Sequence, residues 1–472
     1  MSSNPQSIVL KELEVLEKFL QEASGQEIKE AAKYIFYRLR LNISKIQGTN
    51  EEFLAPRFIV IFLTVKNYLQ YQDIQLHYKS VLSGFRERVK NMEKMRVAFF
   101  VVYDCAFPAR PLFEMMQSDS LFQPFIVIIP DTSRGEQHMF DKMESSYVTL
   151  SKAYPGAVHQ GYDARQKAFV DFSDQADFVC TANPYDVMTH KYYTSMYLKD
   201  KPILCFFTLY GYSGRTKYEH SVFKMPFYSI VWRVFVESVK SLEETKRVQP
   251  LKGDNLVMTG YVKMDDMAKQ KARPRTSKKI IIAPHHTVPG GNGELNLSQF
   301  VRYSDFFLEL PGKYPDIDFV FRPHPLLFTT LLLRKLWTEE KHKAWLSCLT
   351  SHPNVIYDVS DSYFDTFLNS DGLIHDCGSF LAEYFYTPHP QCYLLRDEAA
   401  IDEEFLPFGK EMLVHTYKAF TEEQIVGFID NVIVKGYDPM QIGREEFAKE
   451  QIRINYPVAA KNAMRYIKSC LE

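Results

Sequence analysis

Asp318-Phe319-Val320-Phe321-Arg322-Pro323-His324-Pro325 is the stretch whose reading decides the fold. An aromatic and β-branched run that stops at a pair of prolines reads as a buried strand ending in a stiff loop. The prolines restrict the backbone on either side of His324, so a guanidinium and an imidazole are held at a strand's carboxyl end. In open α/β sheets that edge is where ligands bind. The plainer alternative is a histidine that closes a strand, next to an arginine on the surface.

Further along, residues 371–375 read as a second buried strand, followed by Asp376-Cys377-Gly378-Ser379 and a helical run at 380–385. Strand, small polar turn and helix together point free backbone N–H groups at an anion. Gly378 lets a phosphate approach the backbone, and Ser379 can cap the helix or donate to a phosphate oxygen. An ordinary helix cap is the alternative, because no longer glycine-rich pattern surrounds the turn. Pro284-His285-His286 follows a third apolar run at 280–283. With Arg322 and His324 these are donors suited to a diphosphate. Glu383, one turn beyond Ser379, is a candidate acceptor for ribose hydroxyls. His285, His286, His324, His375 and Asp376 are also metal-ligand types, but adjacent histidines are not a usual zinc spacing, and no metal is expected.

Apolar runs at 97–102, 125–129, 178–181 and 203–207 alternate with helical stretches such as 112–116 and 185–197. After a charged segment at 237–252, the alternation resumes at 256–260, 280–283, 319–321, 355–357, 373–375 and 392–395. Alternation of this kind implies parallel, doubly wound sheets. The expected architecture is therefore α/β: a helical region at 1–94, a first Rossmann-like domain at 95–245 and a second at 246–472 with C-terminal helices. Two such domains facing each other make a cleft lined by strand ends. In the first domain Asp104 and Leu209-Tyr210-Gly211-Tyr212 follow strands. Asp104 is a candidate general base, or a loop carboxylate that caps the next helix.

A chain of 472 residues is too long for one core. A net charge of −2 carries no nucleic-acid footprint. Seven cysteines, odd in number and without CxxC spacing, indicate neither a disulfide framework nor structural zinc. The first residues have no signal-peptide pattern, and the apolar run at 58–65 is too short to span a bilayer. A cytoplasmic protein is expected. The basic strip Arg86, Arg88, Lys90, Lys94 and Arg96 reads as a solvated helix face or as a contact for anionic lipid or polymer.

These motifs resemble the CDP-glycerol:poly(glycerophosphate) glycerophosphotransferase family, the teichoic-acid primases and polymerases. Thr259 to Asp265 is similar to the family's Gly-Tyr-Pro-Arg-x-Asp segment, and Ile282-Ala283-Pro284 to its Ala-Pro-Thr turn. Arg322 to Pro325 is similar to Arg-x-His-Pro, and Asp371 to Glu383 to Asp-x-Leu-Ile-x-Asp-Tyr-Ser-Ser with its following acidic residue. The resemblance implies a GT-B fold and transfer of glycerol phosphate from CDP-glycerol to a glycan or polyol-phosphate acceptor. It implies no cofactor, His324 as the catalytic histidine and Ser379 on the donor phosphates. The family's Trp-His-Gly-Thr motif stands here as Leu209 to Tyr212, so Tyr210 replaces its base histidine. A diverged member acting on a surface polymer is expected, at the inner face of the membrane if the acceptor is membrane-bound. The alternatives are a GT-B glycosyltransferase using a nucleotide sugar and a non-catalytic assembly protein. An oligomer is compatible with all three.

Overall fold

A computed structural model describes residues 5–46, 54–104, 107–288, 295–360 and 362–472. Three helices come first: α1 (Pro5–Glu22), α2 (Gly25–Ile46) and α3 (Ala55–Lys90). Leu13, Leu16 and Leu20 of α1 recur at helical spacing and pack with Ile35 and Leu39 of α2 and Ile61 and Val65 of α3. The second half of α3 turns a different face inward. Its Tyr78, Leu82 and Phe85 join the core of the first sheet, and Tyr78 donates to the Ile230 carbonyl at 2.9 Å.

Two arginines of the basic strip reach a buried partner, and the rest of the strip stays at the surface. Arg88 and Arg96 pair with Asp177 at 2.7 and 2.8 Å, Lys90 with Glu87 at 2.7 Å, and Arg86 donates to the Cys470 carbonyl. The arginines hold the buried Asp177 carboxyl below its ordinary pKa against the opposing effect of burial.

The first lobe is a seven-stranded sheet with order β3-β2-β1-β6-β7-β8-β9, every pair parallel. Its strands are β1 (Met95–Val101), β2 (Phe122–Ile128), β3 (Val158–Gln160), β6 (Phe178–Thr181), β7 (Leu204–Thr208), β8 (Arg233–Val236) and β9 (Leu256–Met258). A small antiparallel hairpin, β4 (Tyr162–Asp163) and β5 (Ala168–Phe169), stands apart. The second lobe has order β12-β11-β10-β13-β14-β15, again all parallel. Its strands are β10 (Lys278–Ala283), β11 (Ile317–Phe321), β12 (Val355–Tyr357), β13 (Gly372–His375), β14 (Gln391–Leu394) and β15 (Tyr417–Ala419). β-branched and aromatic side chains buried on both faces explain why these strands read as unbroken apolar runs.

Three expectations change. The 256–260 run does not open the second sheet; β9 pairs with β8 and closes the first, so the chain crosses between lobes after it. The helix Ala459–Leu471, placed by sequence in the second domain, packs against the first-lobe helix Arg110–Gln117 and against α3. Asp265 explains this return: its carboxylate accepts the N–H groups of Ala459 and Ala460 at 3.3 and 2.8 Å. The helix expected at 185–197 is two 3-10 turns and a short helix, Ser195–Leu198. Asp186 takes the Ser195 N–H at 2.8 Å and its hydroxyl at 2.6 Å, which diverts the backbone from a continuous helix. No helix among the described residues is long and apolar enough to cross a membrane.

Replacing Asp177 with Asn should lower the unfolding free energy by about 2 kcal/mol, because two guanidinium groups lose their shared buried carboxylate. Urea denaturation checks this, and Arg88→Ala in the same background should then cost little more.

Candidate functional site between the lobes

The loops after β10 and β11 run side by side: Arg322 N–H bonds the Ile282 carbonyl at 2.8 Å and His324 N–H the Pro284 carbonyl at 2.9 Å. This extends the β10–β11 pairing past the strands and stacks His324 on the His285-His286 pair. Ring centroids of His285, His286 and His324 lie 4.2 to 5.0 Å apart. Among the described residues these three form the one group of His, Cys, Asp or Glu side chains whose ligand atoms all fall within 4.8 Å of one another.

Hydrogen bonds favour one tautomer in two of the rings. His324 Nδ1 accepts the Leu326 N–H at 3.1 Å, and His285 Nδ1 accepts the Thr287 N–H at 3.3 Å, with the Thr287 hydroxyl 2.8 Å from the same nitrogen and able to donate to it. In the neutral rings the proton therefore sits on Nε2, which becomes a donor. A metal at Nε2 would need that proton on Nδ1, facing another N–H. The pair suits an anion better than a cation.

These imidazoles line a cavity of about 480 Å³ between the lobes, together with Gly378, Ser379, Tyr210 and Arg215. Gly211 of the first lobe sits against Ser379 of the second: a methyl built on it would lie 3.8 Å from the Ser379 hydroxyl. Asp376 shapes the floor. Its buried carboxyl accepts His285 N–H at 2.5 Å and Gln299 N–H at 2.6 Å, and burial raises its pKa to about 7 against those bonds.

Of the residues singled out by sequence, His324, His285, His286, Gly378, Ser379 and Tyr210 share this cavity. Three others do not. Arg322 is committed to Asp358 at 2.7 Å and to the hydroxyl and carbonyl of Ser360 at 3.0 and 2.6 Å, so it braces the loop after β12. Glu383 is fully buried and accepts from Tyr261 at 2.6 Å, Tyr363 at 2.5 Å and Lys263 at 3.3 Å. Its burial puts it out of reach of a ribose in the cavity. Asp104 lines a separate cavity of about 290 Å³ with Arg110, Lys263 and Tyr363, and its carboxylate takes the Ser146 hydroxyl at 3.1 Å.

Two finer expectations also shift. The helix Gly378–Glu383 has only six residues, and Cys377, not Ser379, occupies its cap position; so short a helix contributes little dipole. The Tyr210 hydroxyl lies 3.1 Å from that of Tyr185, and desolvation raises its pKa. A raised pKa keeps the phenol protonated at neutral pH, which disfavours its acting as a base in place of a histidine.

No protein-family model matches the chain, and no curated protein matches it in sequence. Solved structures do resemble it. The wall teichoic acid polymerase TagF aligns over 86% of this chain and 98% of its own, with a TM-score of 0.53 at 13% identity. A UDP-N-acetylglucosamine 2-epimerase aligns over 80% and 96%, with a TM-score of 0.51 at 13% identity. S. aureus MnaA, solved with UDP, aligns over 80% and 97%, with a TM-score of 0.50 at 12% identity. The fold is GT-B.

Within the GT-B cleft, sequence reasoning missed Arg215. It follows the Tyr210-Gly211-Tyr212 turn, is 8% exposed and bonds Glu219 Oε1 through Nη2 at 2.6 Å. An isolated Gly-Arg-Thr-Lys stretch carries no signal of burial. It missed Tyr185 as well, which falls in the run at 185–197 read as a helical stretch.

Burial disfavours the charged form of His285, His324 and His375 in the folded chain. Burial first, then the charges of His286 and Arg134, lowers the His324 pKa to about 3. Burial lowers His375 to about 3 as well, with its Nε2 against Gln391 Oε1 at 2.9 Å. Histidine in an unfolded chain titrates near 6.5. A folded pKa below the unfolded one means that unfolding takes up a proton. These groups therefore withdraw stability as pH falls below about 6.5, increasingly so toward 3. His375→Asn should flatten the dependence on pH of the unfolding free energy, measured by urea titration between pH 7 and 5, by up to about 1.4 kcal/mol per pH unit.

Proposed function

We propose that the chain is a GT-B transferase that takes glycerol phosphate, or a similar polyol phosphate, from a CDP-activated donor. It passes this group to a hydroxyl of a cell-surface polymer or glycan and releases CMP. The observation that carries this reading is the meeting of Nε2–H donors from His285 and His324 with Ser379 in one cavity at the strand ends of the second lobe. Neutral donors converging in a desolvated cleft suit phosphate oxygens. The sequence resemblance to CDP-glycerol transferases and the structural similarity to a wall teichoic acid polymerase support the same class.

In this reading the acceptor oxygen attacks the β-phosphorus. One P–O bond forms, the P–O bond to the CMP phosphate breaks, and CMP leaves with the electron pair while the hydroxyl proton passes to solvent. His324 starts neutral, so its first contribution is a hydrogen bond from Nε2 to a phosphate oxygen. That bond follows the developing charge onto the departing CMP phosphate without transfer of the proton, because Nδ1 already faces the Leu326 N–H and cannot take a second one. The reading requires no metal and no organic cofactor.

A panel of CDP-glycerol, other CDP-polyols, UDP-sugars and GDP-sugars, read by thermal unfolding, separates the alternatives. CDP-glycerol at a hundred times its Kd should add about 2.7 kcal/mol of stability. Stabilisation by UDP- or GDP-sugars but not by CDP-glycerol would instead assign a glycosyltransferase. Binding with no CMP release on any acceptor would assign an assembly role. His324→Ala should lower turnover by about a hundredfold or more while CDP-glycerol still binds; unchanged turnover removes His324 from the mechanism.

A further inference from the structure

We propose that Arg215, carried by the first lobe, is the residue that binds the donor's phosphates in this cavity, in the role the sequence motif assigns to Arg322. The inference rests on the nucleotide-donor reading above and names the group that recognises the donor's charge.

The geometry is specific. Arg215 is 8% exposed, yet its Nε and Nη1 are buried without a hydrogen-bond partner. Only Nη2 is satisfied, by Glu219. Nη1 is turned toward the second lobe, where a methyl built on Gly378 would lie 3.4 Å from it. The guanidinium therefore looks across the cleft at the turn that precedes Ser379, into the cavity that His285, His286 and His324 also line. Its charge contributes to the lowered pKa of His285, after burial and the other two imidazoles.

Other charges near the cavity are already engaged. Arg322 is held by Asp358 and Ser360. Arg134, the first-lobe cation whose charge acts on His324, pairs with Asp131 at 3.3 Å. Glu383, whose field reaches Arg215, is spent on two tyrosines and Lys263. A buried guanidinium with two unsatisfied nitrogens is costly unless an anion arrives to complete it.

The backbone around Arg215 is fixed from both lobes. Its own N–H bonds Glu219 Oε2 at 2.7 Å, and its carbonyl accepts the Leu406 N–H of the second lobe at 2.7 Å. Lys217 N–H bonds the Glu404 carbonyl at 2.8 Å, and Thr216 bridges to Phe405. A side chain held this way is pre-organised for its ligand. Free N–H groups on two guanidinium nitrogens, two Nε2–H donors and a serine hydroxyl around about 480 Å³ match the spread oxygens of a nucleoside diphosphate.

Calorimetric titration of the full chain with CDP, UDP, inorganic pyrophosphate and cytidine tests the proposal. Arg215→Gln should weaken pyrophosphate and nucleoside diphosphate binding by about a hundredfold, with Arg215→Lys recovering part of it. Arg322→Gln should change that affinity by less than about threefold. If Arg215→Gln does not fold, Gly378→Ala serves in its place. Its φ is ordinary, and the added methyl intrudes between guanidinium and ligand, so it should also weaken pyrophosphate binding. Wild-type affinity in Arg215→Gln or, where that variant does not fold, in Gly378→Ala overturns the role of Arg215, as does a loss confined to Arg322→Gln; either leaves the donor reading standing. A wild-type chain that binds neither pyrophosphate nor any nucleoside diphosphate overturns the donor reading itself.

Discussion

The loop at 209–217 leaves the first sheet but is hydrogen-bonded to the second lobe, and the cleft owes its shape to that attachment. Leu406 and Lys217 supply the cross-lobe backbone bonds. Gly409 permits the contact, since any Cβ there would collide with the Arg215 carbonyl at 2.2 Å. On the first-lobe side the buried Glu237 takes the N–H and hydroxyl of Ser213 and the Ser241 hydroxyl. Buried polar backbone has to be paired somewhere. Here it is paired in two directions, and the two lobes become one frame for the loops that end their strands.

Much of the architecture was legible because parallel strands buried on both faces are nearly pure apolar runs. The segments at 178–181, 280–283, 319–321 and 373–375 lie in strands, and those at 97–102 and 203–207 do so apart from one end residue each. What the pattern does not encode is partnership. Nothing in Leu256-Val257-Met258 says which sheet it will join, and β15 (Tyr417–Ala419) is too short and too polar to announce itself. The same limit governs the site. His324, His285, His286 and Ser379 were found because loops at strand ends converge by topology. Arg322 follows the same strand as His324 and Glu383 ends the same helix as Ser379, but they turn to Asp358 and to a tyrosine pair, contacts that come from distant parts of the chain. Arg215 was overlooked for the complementary reason. Its burial is created by the opposing lobe, not by its own neighbours in sequence.

Electrostatics divides the labour inside the cleft. Burying an ionised imidazole is expensive, and the folded chain avoids it by keeping His285 and His324 neutral and orienting them as donors. Glu383 follows the opposite course: it stays deep in the protein because Tyr261, Tyr363 and Lys263 surround it with donors. Arginine, which does not shed its proton, is the one group here that must meet its counter-charge physically.

The return of helix Ala459–Leu471 to the first lobe carries a consequence for biosynthesis. Its Ala463, Ile467 and Leu471 complete an apolar layer whose other members, such as Leu112, Phe113 and Met116, emerge from the ribosome far earlier. The amino-terminal half thus waits, with an oily surface uncovered, until translation has passed through the entire carboxyl-terminal half. Any premature stop before Ala459 would release a chain with a finished back end and an unsealed front.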